Sequence, residues 1–172
     1  SVDGISCIWD VVNKSLDYKV EHKSKCRLSK FSDDTKLIAF AYEDSTIQIE
    51  EVKTRKVITL INSDSKIISK IQFTYDNKYL VVNHLNGSVE IWDLSNNKKT
   101  NEFQNVYEGQ NLGYDQFQLS PDNKYIALYG MFSNLKIYEM ESGNLVNEFG
   151  LKFPYVSDIT TILFHPNNQH IV

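Results

Sequence analysis

The chain has 172 residues, enough to bury a sizeable core, and its 41% hydrophobic and 23% charged residues are ordinary for a globular domain. A net charge of −4, with Arg27 and Arg55 the only arginines among 18 basic residues, excludes a basic field for nucleic acid and argues against base or phosphate readout. Cys7 and Cys26 lack metal-ligand spacing and read as free thiols, no apolar run approaches a membrane span, no secretory leader pattern opens the chain, and it reads as intracellular.

The first element is "DGISCIWD": a turn at Asp3-Gly4, then a strand over Ile5–Trp9. "FSDDTKLIAF" from Phe31 joins a tight turn to an apolar strand, and "DSTIQIEE" from Asp44 predicts another strand over Ile47–Glu50. The next unit is the clearest. Ile67, Ile68, Ile71 and Phe73 form a first strand, and Tyr75–Lys78 is a turn. "YLVVN" is a strand buried on both faces, and Asn86-Gly87 marks a hairpin. "SVEIWDL" supplies a third strand over Val89–Trp92, "SNNKK" turns the chain, and Thr100 to Val106 is the fourth strand. "LSPDNKYIAL" from Leu119 and "FSNLKIYE" from Phe132 repeat the scheme, with a strand over Leu135–Tyr138, and "FHPNNQHIV" from Phe164 begins it once more.

These segments are repeats of one unit. The turn anchors at 31, 73, 119 and 164 stand 42, 46 and 45 residues apart, and the pairs at 9–10, 50–51, 92–93 and 138–139 keep steps of 41, 42 and 46. No 3.6-residue apolar period persists, so helix is expected below about 10%. The pattern resembles the WD-repeat family of β-propellers, whose unit begins with Gly-His, carries Phe-Ser-Pro-Asp-Gly at a turn and ends in Trp-Asp. Trp9-Asp10 and Trp92-Asp93 keep the closing pair, Glu50-Glu51 and Tyr138-Glu139 weaken it, and of the Gly-His sites only His22 keeps the histidine.

The resemblance implies an all-β fold, a β-propeller of four-stranded antiparallel blades, as a segment of a larger ring of about seven. Its expected parts are a half-blade over 1–20, blades over about 21–62, 63–107 and 108–152, and a half-blade over 153–172. The alternative is that the two half-blades meet and close a ring of four, which would pair Ile171 and Val172 with Ile5 and Cys7. The family's hydrogen-bonded tetrad falls on His22, Phe40, Asp44 and Glu50 in one unit and Asp64, Val82, Asn86 and Trp92 in the next. Neither set is complete, so apolar packing is expected to hold the blades where the polar network is lost.

No phosphate-binding glycine motif is present, and Gly109–Gly113 lacks a following lysine. His22, His84, His165 and His170 fall in separate loops and strands, so no metal, cofactor or catalytic residue is expected. Asp33-Asp34, Glu43-Asp44 and Asp76 read as turn carboxylates. Glu50 stands in a covered column, where an unpaired carboxylate is costly, and is expected to reach solvent or a partner such as a lysine on the adjacent blade.

The resemblance implies a non-enzymatic scaffold binding other proteins in a multi-subunit complex, cytoplasmic or nuclear, without direct nucleic-acid or membrane contact. Two other readings stay open. One is a ligand-binding or catalytic site in the central channel; the other is a subunit of a nucleic-acid-associated assembly, of ribosome-biogenesis or corepressor type, contacting mainly protein. Partner contacts are expected at the loop end that carries Tyr42, Glu43, Leu85, Tyr107, Phe132, Phe153 and Tyr155.

Overall fold

Three kinds of turn recur along the chain, and each holds one residue in left-handed backbone. Thr35, Asn77, Asn123 and Asn168 occupy one position with φ between 58° and 61°; Lys14, Arg55, Asn97 and Gly143 occupy a second; Gly4, Ser45 and Gly87 occupy a third. The first kind is built on a hydroxyl and an aspartate. Ser32, Thr74 and Ser120 donate to Asp34, Asp76 and Asp122 at 2.8, 2.6 and 2.7 Å, and each hydroxyl oxygen accepts a backbone N–H five residues on. This turn reverses the chain locally, before any distant contact forms.

A computed structural model describes residues 4–63, 67–104, 106–107, 110–111, 116–130, 134–150, 159, 161–168 and 170–172. β1 (Ile5–Asp10) and β2 (Ser15–Glu21) form a two-stranded sheet. β3 (Cys26–Phe31), β4 (Leu37–Tyr42), β5 (Thr46–Glu51) and β6 (Lys56–Asn62) form a four-stranded meander. β7 (Ile68–Phe73), β8 (Tyr79–His84), β9 (Val89–Asp93) and β10 (Lys98–Phe103) form the next. After the short pair β11 (Val106–Tyr107) and β12 (Gln110–Asn111) comes a third, of β13 (Gln116–Leu119), β14 (Tyr125–Tyr129), β15 (Leu135–Glu139) and β16 (Leu145–Phe149). Every pairing is antiparallel, and no helix occurs among the described residues. The four strands expected over Ile5–Trp9, Ile47–Glu50, Val89–Trp92 and Leu135–Tyr138 are β1, β5, β9 and β15. The chain is all-β, and its four-stranded sheets are propeller blades.

One strand differs at both ends, stopping at Phe103 with Val106 in the separate pair β11–β12. The fourth strand expected over Thr100 to Val106 begins earlier, at Lys98, because the Asp93 carboxylate accepts from the N–H groups of Ser95 and Asn96 and closes the turn by Asn97. The ladder therefore resumes with Lys98 opposite Asp93.

The sheets pack face to face. β4 and β8 are buried along almost their whole length, as β-branched and aromatic runs covered on both faces should be. Ile47 and Ile49 meet Ile68, Ile71, Phe73 and Trp92 in one apolar layer, and Val81, Val89 and Ile91 meet Phe117, Leu119 and Leu128 in the next. Fully burying a side chain such as Ile49 contributes about 1.5–3 kcal/mol. The sheets approach most closely through β3 and β7, while the fourth strands β6 and β16 are largely exposed. First strands therefore gather at the centre, and fourth strands form the outer edge.

A closed ring of four is not seen among the described residues. Among the described residues β1 pairs with β2, whereas Ile171 bridges Phe164, and Leu163 and Val172 exchange backbone hydrogen bonds of 2.9 and 3.0 Å.

Candidate protein-interaction surface

The turns between second and third strands lie at one end of the sheets, beside the segments that enter the first strands. One backbone bond ties the two in the β3–β6 and β7–β10 blades. Glu43 N–H donates to the Lys25 carbonyl at 2.9 Å, and Leu85 N–H donates to the Ile67 carbonyl at 2.8 Å. Lys25 and Ile67 each stand six residues before a turn anchor, Phe31 or Phe73, so the two blades present equivalent positions with opposite chemistry. Lys25 and Arg27 approach the Glu43 carboxylate at 3.6 and 3.9 Å in an exposed ion-pair cluster. On the next blade Leu85 is 65% and Ile67 48% exposed, forming an apolar step beside that cluster.

Of the expected contact residues, Glu43 and Leu85 stand on this surface. Tyr42 does not: it ends β4 only 1% exposed, its ring stacked on His22 at a centroid distance of 3.6 Å. Covered by β1 and β2 through Ile8, Tyr18 and Val20, it is a core residue. Burial pushes its phenol up, helped by Cys26, Glu50 and Asp44, and its hydroxyl has no hydrogen-bond partner among the described residues. Tyr107 lies in β11 opposite Gln110. Phe132, Phe153 and Tyr155 lie outside the described residues. Ile67, Lys25 and Arg27 were not expected here. Their signal was available in the fixed spacing to the turn anchor, but Ile67 reads as core when the strand is judged by hydrophobicity alone.

Beneath the surface a buried polar network replaces the incomplete tetrad of the β7–β10 blade. Ser63 Oγ donates to Glu90 Oε2 at 2.7 Å, and Trp92 Nε1 donates to the same oxygen at 2.9 Å. His84 Nε2 lies 3.3 Å from that oxygen and 3.2 Å from Ser63 Oγ, while Lys99 Nζ reaches Glu90 Oε1 at 3.4 Å. Burial pushes the Glu90 carboxyl up, but bonds from His84, Ser63 and Trp92 outweigh it and hold it at about 2. Of the tetrad positions, Val82 is buried in the apolar layer, and Asn86 accepts from Ser88 within its own turn. Trp92 thus keeps a polar partner, on its own strand.

Ser63, His84 and Glu90 share the residue types of a hydrolase triad but not its geometry. Serine and carboxylate meet the same imidazole nitrogen, so the acid does not orient the ring from the opposite side, and all three side chains are buried. The arrangement fastens a strand; it does not present a nucleophile.

The β3–β6 blade solves the same problem differently. His22 Nε2 lies 3.4 Å from Thr46 Oγ1, which donates to Asp44 at 2.5 Å. Burial raises the Asp44 carboxyl, but bonds from Thr46 outweigh it and leave it below its ordinary range. Glu50 finds its expected partner on the adjacent sheet, but that partner is a phenol, and among the described residues Glu50 reaches neither solvent nor a lysine. It is 4% exposed, accepting from Gln48 Nε2 at 2.6 Å and from the Tyr18 hydroxyl of the adjacent sheet at 3.4 Å. A phenol reaches between the sheets here without introducing a second buried charge.

A family model described as the WD40 domain of anaphase-promoting complex subunit 4 matches residues 29–115, half of the chain. The chain is 29% identical over 94 residues to the U3 small nucleolar RNA-associated protein 21 homolog of Schizosaccharomyces pombe, covering 55% of this chain and 10% of that protein. It is 24% identical over 92 residues to the human WD repeat-containing protein 36, covering 54% of this chain and 10% of that protein. The chain spans about a tenth of the length of these curated relatives.

Proposed function

This chain belongs to the WD-repeat family, and we propose that it is a non-enzymatic scaffold that docks other proteins through the loop end of its blades. One observation carries the reading: the exposed step of Leu85 and Ile67, set beside the Lys25–Arg27–Glu43 cluster at equivalent positions of neighbouring blades. An apolar anchor with a charged rim is how a protein interface gains affinity and register. Glu43 and Leu85 are contact residues in this reading, and the reading counts Tyr107, Phe132, Phe153 and Tyr155 among the contacts from the sequence repeat alone. The blades divide at about 21–62, 63–107 and 108–152, with half-blades over 1–20 and 153–172.

A second reading rests on one relative, whose name associates it with a small nucleolar RNA. Under it, this chain is a nuclear subunit of a nucleic-acid-associated complex and contacts mainly protein, as its net charge of −4 favours. Photo-crosslinking in the source cell distinguishes surfaces: a photoreactive residue at position 85 should trap a partner that one at position 60, on outer strand β6, does not. Equal trapping from both positions, or trapping from position 60 alone, removes the loop end as the docking face. The identity of the trapped protein decides between the two readings.

A further inference from the structure

The turns that join β4 to β5 and β8 to β9 are built alike from different residues. In the first, Ser45 has φ of 66° and its N–H donates to the Tyr42 carbonyl at 3.1 Å. In the second, Gly87 has φ of 75° and its N–H donates to the His84 carbonyl at 2.8 Å. The residue before each closes the turn with its side chain. Asp44 Oδ1 accepts from the Thr46 N–H at 3.2 Å and the Thr46 hydroxyl at 2.5 Å, and Asn86 Oδ1 accepts from the Ser88 N–H at 3.2 Å and the Ser88 hydroxyl at 2.9 Å. A single acceptor oxygen does the work in both, so this turn fits a carboxylate at position 86 as well as an amide. Asn86 is exposed, and it is the only asparagine of the chain followed by glycine.

We propose that Asn86 is a deamidation site, converted slowly to an aspartate that the folded turn accepts. Glycine has no Cβ to shield its backbone nitrogen, so the Gly87 nitrogen, on losing its proton to water or hydroxide, attacks the Asn86 amide carbon. A bond forms between Gly87 N and Asn86 Cγ, the Cγ–Nδ2 bond breaks, and ammonia leaves with a proton taken from solvent. Water then opens the succinimide ring. Breaking the new bond gives aspartate, and breaking the original peptide bond gives isoaspartate; in both, water is consumed and ammonia released. The fold acts on rate and product alike. The Gly87 N–H is engaged by the His84 carbonyl, so ring closure waits for the turn to open. Isoaspartate inserts a main-chain methylene into the turn that the His84 N–H closes on the Ser88 carbonyl at 2.9 Å, whereas aspartate reproduces the Asp44 arrangement. The new charge stands beside Leu85; that a docked partner meets it rests on the proposed docking face, but the chemistry does not.

The test incubates the full chain, and separately a free peptide of residues 79–98, in one mildly alkaline buffer. Mass-spectrometric peptide mapping follows each asparagine, and chromatography separates aspartate from isoaspartate. In the folded chain Asn86 should convert faster than every other asparagine, yet at least about tenfold more slowly than in the peptide, where no turn restrains the nitrogen. The aspartate share of the product should be higher in the folded chain than in the peptide. Urea denaturation reads the fit of the product independently of the chemistry: Asn86→Asp should keep the wild-type midpoint, and Asn86→Ala, which loses both bonds from Ser88, should lower it. Faster conversion at another asparagine of the folded chain, equal rates in chain and peptide, or coincident midpoints for Asn86→Asp and Asn86→Ala would overturn the proposal.

Discussion

Replacing Glu90 by Gln should remove most of one pH-dependent component of stability. The folded carboxyl is held at about 2 against an ordinary value of 4.5, because three donors converge on it in a site where its side chain is 0% exposed. That gap corresponds to about 3 kcal/mol favouring the folded state at neutral pH. Since the folded value is the depressed one, the contribution is complete above the unfolded value and drains as pH falls toward 2. Linkage places about 2 kcal/mol of the loss between pH 6 and pH 3. Urea denaturation of wild type and Glu90→Gln, followed by circular dichroism across that range, measures it directly. The stability difference between the two proteins should shrink by about 2 kcal/mol from pH 6 to pH 3. A difference that stays constant over the range would show that the Ser63–His84–Trp92 network does not hold the carboxylate, and the argument would fail.

Other substitutions test other parts of the fold. Tyr42→Phe removes a buried hydroxyl that has no partner among the described residues, and should stabilise the chain by about 1 kcal/mol in thermal or urea denaturation. A loss of stability would mean that the hydroxyl is satisfied. Gly143→Ala forces a side chain onto a residue with φ of 72° and into the Asn101 amide of the neighbouring blade, and should cost more than about 1 kcal/mol. A double variant with Asn101→Ala should recover the part due to the collision. Asn97→Ala loses the bond from its amide to the Leu60 carbonyl, 3.0 Å away on the preceding blade, and puts alanine on left-handed backbone with φ of 50°, so it should cost more than about 1 kcal/mol in the same assay.

Much of the architecture is legible because its determinants are local. The Ser32–Asp34, Thr74–Asp76 and Ser120–Asp122 turns each complete themselves within a few residues, so one period of hydroxyl and aspartate positions the strands on either side. Polar contacts between elements are less readable. Glu90 takes the role left open by Val82 and Asn86 because strand geometry places it two residues from Trp92 on the same face, with Ser63 and His84 converging from other segments. No spacing rule for the family's tetrad points there. Glu50 finds Tyr18 only because sheet stacking brings β2 against β5. Tyr42 looks like a loop aromatic by position, yet the preceding half-blade covers it, and burial by a neighbouring sheet is not written at the residue itself.

The account rests most heavily on the loop end as the docking face. Its most direct measurement is the affinity of one captured partner for wild type, for the Leu85→Ala/Ile67→Ala pair and for a Val57→Ala/Leu60→Ala pair of equally exposed apolar residues on outer strand β6. The loop-end pair should lose about 2 kcal/mol, roughly thirtyfold in Kd, with its urea midpoint unchanged, while the β6 pair binds as wild type. Full affinity in the loop-end pair together with a loss in the β6 pair would place the partner on the outer strand and contradict the account.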